Sequence, residues 1–349
     1  MRALTLVAAL VALLFAGACT PDTKPGTRVF TYASPYPATH TFSRADSVWM
    51  DWLKQHSGGR IVIKPYWGGA LLSSNENMLE ISHRVADIGL VTPMYARSAH
   101  LQRIQPSFYS GIGTIRDQID IYKCMAARYP EMASDLQGLH ILAVQGGNFP
   151  GVLTRTRPIR TLADFRGLRL RAQEDTAALL RQLGADPVNM SMAEVYPAMA
   201  KGVIDGVVAP LDALKAVHLA DVGKYYSTLK VPRGAYPGRA MSGDLWRSLS
   251  PADRALFDQA EVVWEQAMVE QIEAALAAGD EYSHKEGIVF VPMPAAEQAK
   301  FDALYRANAM KLARSLDGYG FNGVKLADHA AALIAARNAG QPLSCGATR

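Results

Sequence analysis

Residues 157–210 leave this chain little choice of fold. RPIRTLADFRGLRLRAQ leads through LGADPVNMSMAEVYPAMAKG to VIDGVVAP. The hydrophobic period switches repeatedly between that of a helix and that of a strand. It predicts a short helix, a strand, a helix, a strand, a helix and a strand. Ser191 and Glu194 form an S-x-x-E capping box for the last of these helices, which ends near Gly202. Strands joined through helices build a parallel sheet, and ligands of such sheets gather beyond the carboxyl ends of the strands. The strand at 168–170 delivers Arg171 to that edge. A guanidinium there offers a planar fork that matches a carboxylate. The plainer alternative is a surface arginine paired with Glu174 or Asp175.

The same alternation precedes this stretch. Strands are expected at 28–33, 61–67 and 86–91, with helices at 39–56 and 75–85 between them. A loop follows at 101–113, then a helix at 115–129 and a strand at 140–145. A chain of 349 residues carrying two such units reads as two α/β domains. Ser250-Pro251 opens a helix that runs to about Glu286. At 1.5 Å per residue it is ~50 Å long, more than one small domain needs, so it is expected to bridge the two as a shared spine. A strand at 288–292 and helices at 295–316 and 326–338 close the chain.

The composition, 49% hydrophobic and 19% charged with a net charge of +4, is that of a globular protein. Long basic runs are absent, which argues against a nucleic-acid partner. At the N-terminus, Arg2 precedes an apolar run at 3–15 that is too short to span a bilayer and fits a signal-peptide core. Ala16-Gly17-Ala18 then precedes Cys19. Residues 1–18 are expected to be a signal peptide, removed either by ordinary cleavage or with lipidation of Cys19. The second is preferred, with 19–27 as a lipidated N-terminus and polar linker that anchors the protein to a membrane. The two remaining cysteines, Cys124 and Cys345, are either isolated thiols or a disulfide formed in an oxidising periplasm.

No G-x-S-x-G, H-E-x-x-H, P-loop or C-x-x-C occurs, and His40, His83 and His100 lack metal-ligand spacing. Catalysis, a cofactor and a metal site are therefore not expected. What recurs instead is aromatic residues at strand exits: Tyr32 and Tyr36, Trp67, and Tyr95 beside Thr92 and Met94. With Arg171 they suggest a cleft that holds a small anion by one charge and several ring faces.

The runs RPIRTLADFRGLRLR, LGADPVNMSMAEVYPAMAKGVIDGVVAP and KYYS, with GGRIVIKPYWGGAL and VADIGLV before them, resemble the solute-binding proteins of tripartite ATP-independent periplasmic (TRAP) transporters, the DctP type. The resemblance covers roughly residues 28–318. It implies a periplasmic-binding-protein-like α/β fold: two domains joined by crossing strands, a hinge and a long helix spanning both. Domain I would comprise 28–148 and 237–275, domain II 149–236 and 276–318, with 319–349 a C-terminal helix and tail. It also implies capture of a small organic acid in the periplasm and delivery to small and large permease subunits in the membrane. A ligand-binding module for a periplasmic sensor or lipoprotein complex, and a periplasmic enzyme, are the alternatives.

By this resemblance Arg171 falls on the arginine that clamps the ligand carboxylate, and Thr92, Met192 and Ala209 on lining positions. Tyr36, Trp67, Tyr95, Gly151, Tyr236 and Arg239 complete the expected site. Gly151 stands where many acid-binding members have a second arginine, and Ala209 where they have asparagine. The missing polar partners point to a bulkier or less polar ligand than a sialic acid or small dicarboxylate, an aromatic or hydrophobic monocarboxylate. Arg155, Arg157 and Arg239 are the candidates for a compensating charge.

Overall fold

The computed structural model describes residues 26–346. The expected signal peptide and Cys19 lie outside the described residues. Among the described residues no helix is long and apolar enough to cross a membrane.

The strands are β1 (Arg28–Ala33), β2 (Ile61–Tyr66), β3 (Ile88–Leu90), β4 (Leu139–Gln145), β5 (Gly151–Thr154), β6 (Arg169–Arg171), β7 (Asp186–Val188), β8 (Gly206–Ala209), β9 (Tyr225–Ser227), β10 (Tyr236–Ser242) and β11 (Val289–Val291). They form two sheets, ordered β2-β1-β3-β10-β4 and β11-β9-β5-β8-β6-β7. β1 runs parallel to β2 and β3, and β6 parallel to β7 and β8, as strand–helix–strand connections dictate. Residues 157–210 hold the expected series: a 3-10 turn at Leu162–Phe165, β6, helix Glu174–Gln182, β7, helix Met192–Ala200 and β8. The capping box is in place, with the Glu194 carboxylate accepting from the Ser191 backbone N–H at 2.9 Å and from its hydroxyl at 2.6 Å.

Three strands do not follow from the sequence pattern. β5 lies antiparallel between β8 and β9, and β10 antiparallel between β3 and β4. β5 and β9 are too short to show a period, and β10 carries Pro237 and Gly238 with breaks in its pairing register around Arg239. Because β4 and β10 belong to one sheet while β5 and β9 belong to the other, the chain crosses between sheets at 146–150 and again at 228–235. Residues 101–113, expected as a loop, include part of helix His100–Ile104 and a 3-10 turn at Gln105–Phe108, both too short to display an apolar stripe.

Helix Pro251–Lys285 starts as expected, with the Ser250 hydroxyl accepting from the Asp253 N–H at 3.1 Å. It buries Phe257, Trp264, Met268 and Ile272 in the core beneath the first sheet, and its last turns bring Tyr282 against the second. Helix Ala295–Ser315 also bridges. Phe301 and Tyr305 belong to a core of the second sheet and Ala313 to that of the first. Cys124 and Cys345 form a disulfide across 221 residues of sequence, tying the C-terminal tail to helix Ile115–Arg128.

One buried cluster fastens the first sheet to the spine helix. Both oxygens of the Asp46 carboxylate are used twice. Oδ1 accepts from Arg239 Nε at 2.6 Å and from Trp264 Nε1 at 2.7 Å; Oδ2 accepts from Arg239 Nη2 at 3.1 Å and from the Tyr32 hydroxyl. Arg239, expected at the ligand site, therefore lies in the core, where burial is tolerated because the charge is paired and each guanidinium nitrogen donates a hydrogen bond. Trp67, also expected at the site, packs edge-on against Tyr32 with ring centroids 5.4 Å apart and joins the same core. Asp46→Ala leaves a buried guanidinium without its counter-ion. Urea unfolding is expected to show a loss of about 3–5 kcal/mol; a loss below about 1 kcal/mol would contradict this reading of the cluster.

Candidate functional site

A cavity of about 940 Å³, its open mouth included, lies between the two sheets. Strand exits and crossings supply its walls. Tyr36 follows β1, Thr92, Met94 and Tyr95 follow β3, and Arg171 ends β6. Asn148 and Pro150 come from the first crossing, Arg233 from the second, and Tyr236 opens β10. Met192, Val208, Pro210, Val217 and Val231 make an apolar side, and Ile272 of the spine helix reaches in as well.

Arg171 is only 2% exposed. Its Nε donates to the Met190 carbonyl at 3.0 Å and its Nη2 to the Tyr95 hydroxyl at 2.6 Å. The second bond joins the two halves of the cavity wall. Among the described residues Arg171 makes no ion pair. Glu174, one of the two acids weighed as its partner, instead pairs with Arg103 at 3.2 Å. The other, Asp175, lines the cavity and forms no salt bridge among the described residues. A desolvated cation left without an anion is costly, and an incoming carboxylate would offset that cost.

The remaining titratable groups set the field around it. Burial pushes the Asp175 carboxyl up to about 6, against the pull of a bond from Thr176 and of the Arg233 and Arg171 charges. Burial likewise raises Asp212, whose Oδ1 accepts from Asn148 Nδ2 at 2.8 Å. Burial first, and then the Arg44 and Arg239 charges, lower His40 to about 3, so its imidazole is neutral at physiological pH. That ring stacks on Tyr36, 4.0 Å between centroids, and its Nδ1 caps helix Thr41–His56. Burial raises the Tyr36 phenol, which also feels Tyr95, Tyr236, Arg171 and Arg233. The cavity thus holds two guanidinium groups and two carboxyls, both of which favour the neutral form more than usual.

Of the expected site residues, the structure brings together Arg171, Thr92, Met192, Tyr36, Tyr95 and Tyr236 on this cavity. The Thr92 hydroxyl is already spent, donating to the Ser74 carbonyl and accepting from Asn77 Nδ2 at 2.7 Å, so it shapes the turn carrying Tyr95. Gly151 and Ala209 do not line the cavity. They pair across β5 and β8, where the Tyr226 hydroxyl accepts from the Gly151 N–H at 3.0 Å and donates to the Ala209 carbonyl at 3.2 Å. A Cβ on Gly151 would meet the Ser227 carbonyl at 2.5 Å and the Tyr226 ring at 2.6 Å, so its missing side chain opens no space for a ligand. Trp67 and Arg239 lie in the core described above. Arg155 and Arg157 are also absent from the lining. The second cavity arginine is Arg233, in the irregular VPRGAYP segment, and no sequence period marked it. No group of acidic, histidine or cysteine residues able to hold a metal occurs among the described residues.

The sequence profile of the bacterial extracellular solute-binding proteins of family 7 (DctP) matches residues 33–315. Among solved structures, a TRAP solute-binding protein from Rhodoferax ferrireducens T118 in complex with copurified benzoate is similar, with TM-score 0.81 and 22% identity over 90% of this chain and 99% of that one. A TRAP periplasmic solute-binding protein from Bradyrhizobium sp. BTAi1, in complex with galacturonate, gives TM-score 0.74 and 20% identity over 87% and 99%. The sialic acid-binding periplasmic protein SiaP of Vibrio cholerae is 30% identical over 111 residues, 31% of this chain and 34% of SiaP, so the chain spans about a third of that relative's length.

Asp175 makes the electrostatics testable in the unliganded protein. Its carboxyl titrates higher in the folded than in the unfolded chain, so its ionisation weakens the fold as pH rises from the ordinary carboxylate range through about 6. Asp175→Asn removes this term and keeps an acceptor for Thr176. The variant is expected to gain on the order of 1–3 kcal/mol relative to wild type between pH ~4.5 and pH ~7.5 in urea unfolding. A difference that does not change with pH would contradict the assignment.

Proposed function

We propose that this chain, which belongs to the bacterial extracellular solute-binding proteins of family 7 (DctP), captures an organic acid with an aromatic or otherwise apolar body for a TRAP transporter. The observation that carries the proposal is the pairing of Arg171, buried and without a carboxylate partner, with the apolar side built by Met192, Val208, Pro210 and Val231. The cation takes the carboxylate; the apolar wall takes the body. Benzoate, found with the Rhodoferax protein, has this division of character. Galacturonate shares only the carboxylate, and the hydrogen-bonding groups of Asn148 and Asp212 are its best argument.

Capture works by closure. The Tyr95–Arg171 bond and the Arg103–Glu174 pair both span the gap between the sheets, and a ligand touching both walls favours the closed arrangement by its contacts with it. The units that move are those expected from the sequence, 28–148 with 237–275 and 149–236 with 276–318, hinged at the crossings. The closed form then docks on the membrane permease subunits in the periplasm, with Cys19 as a lipid anchor.

A thermal-shift screen followed by calorimetry tests the reading. Benzoate or another aromatic acid is expected to bind more tightly than galacturonate or a sialic acid. A ligand at 100 times its dissociation constant stabilises the protein by ~2.7 kcal/mol, readily seen as a shift in Tm. Arg171→Ala is expected to cut affinity at least ~100-fold with the fold retained, since it removes a desolvated charge pair. Unchanged affinity in Arg171→Ala would overturn the anchor, and tighter binding of galacturonate would overturn the apolar ligand class.

A further inference from the structure

Gln145, at the end of β4, sits between the buried Asp46–Arg239 pair and the cavity. Arg239 Nη1 donates to its Oε1 at 3.0 Å. A guanidinium has donors and no acceptor, so the amide atom facing it has to be the oxygen. The amide nitrogen therefore faces the other way, where it donates to the Tyr236 hydroxyl. Gln145 and Arg239 are each 1% exposed, which leaves no solvent to turn the amide over. Gly238 clears the path, since a Cβ there would meet Gln145 Cβ at 2.5 Å.

This fixes the direction of the next hydrogen bond. Tyr236 Oη accepts from Gln145, so its own proton must find an acceptor elsewhere, and no protein group among the described residues takes it. Tyr236 lines the cavity. Tyr95 obeys the same logic: its hydroxyl accepts from Arg171, which can only donate, and its proton too is left over.

We propose that Gln145 and Arg239 are positioning residues that hold Tyr236 as a hydrogen-bond donor to the ligand carboxylate, so that Arg171, Tyr95 and Tyr236 present only donors to one anionic group. The inference rests on the carboxylate reading above. Its consequence is selectivity for the charge state of the ligand head: a carboxylate accepts from all three groups, whereas the NH₂ of the corresponding amide meets a donor.

The test is a double-mutant cycle by calorimetry, with benzoate and benzamide as probes and galacturonate alongside. Tyr236→Phe is expected to weaken benzoate ~10- to 100-fold, the usual range for one hydrogen bond to a charged group. Gln145→Glu keeps the shape but accepts from both Arg239 and the Tyr236 hydroxyl, which turns an oxygen lone pair towards the ligand. It is expected to weaken benzoate by a similar factor, to spare benzamide, and to add less than about threefold in the Tyr236→Phe background. Additive losses, or a Gln145→Glu protein with wild-type preference for benzoate over benzamide, would overturn the proposal. Should Gln145→Glu fail to fold, Tyr236→Phe decides alone: a loss confined to the acid supports the assignment and unchanged affinity overturns it. A wild-type protein that binds neither benzoate nor galacturonate overturns the carboxylate reading itself, whereas intact wild-type binding with a failed cycle overturns only this assignment.

Discussion

One carboxylate, Asp46, holds the first half of the molecule in register with the rest. It is buried, and its two oxygens take four hydrogen bonds from three separate parts of the chain: Tyr32 on β1, Arg239 on β10 and Trp264 on the spine helix. β10 arrives late in the sequence and runs against its neighbours, so little in its own pattern would hold it between β3 and β4. The ion pair supplies that specificity. A buried pair of this kind is weak evidence for net stability, but leaving either charge alone is expensive, which makes a shifted register costly. Through Gln145 the same cluster reaches the cavity, so the packing of the core and the chemistry of the site share one set of bonds.

The cavity is not the simple cationic hole that one clamping arginine suggests. Arg171 and Arg233 face Asp175 and Asp212, and burial moves both carboxyls towards their neutral forms. Such a site carries little net charge when both acids are ionised, and its two guanidinium groups are held in place by bonds to the Met190 and Asn148 carbonyls. An anion therefore meets preorganised donors without the cost of assembling them. Three phenols, Tyr36, Tyr95 and Tyr236, add polarity, and Met192, Val208, Pro210 and Val231 supply the apolar surface.

Much of this was legible in the sequence, and the reasons for the rest are physical. The alternation over residues 157–210 is written in hydrophobic period and in the Ser191–Glu194 cap, and the spine helix in Ser250-Pro251 and 35 residues without a strong breaker. Arg171 stood out because a strand end is a place, not only a residue type. β5, β9 and β10 were hidden because short strands, or one broken by Pro237 and Gly238, show no period. Arg239 and Trp67 were misplaced for a related reason: a residue near a strand exit can face either side. Tyr236 meets the cavity, whereas Arg239, three residues later and beside the register shifts of β10, lies in the core. Gly151 and Ala209 looked like gaps because the Tyr226 ring that closes over them is far away in sequence. Arg233 belongs to no regular element, and only the crossing of the chain between sheets brings it to the site.

A carboxylate held against Arg171, with its apolar body on Met192 and Val208, is the arrangement on which the rest depends. A crystal structure grown with saturating benzoate tests this most directly. Both carboxylate oxygens are expected within ~3 Å of donors from Arg171, Tyr95 and Tyr236, with the ring against Met192 and Val208. A ring turned towards Arg171, or a carboxylate held elsewhere in the cavity with Arg171 still unpaired, would rule this arrangement out.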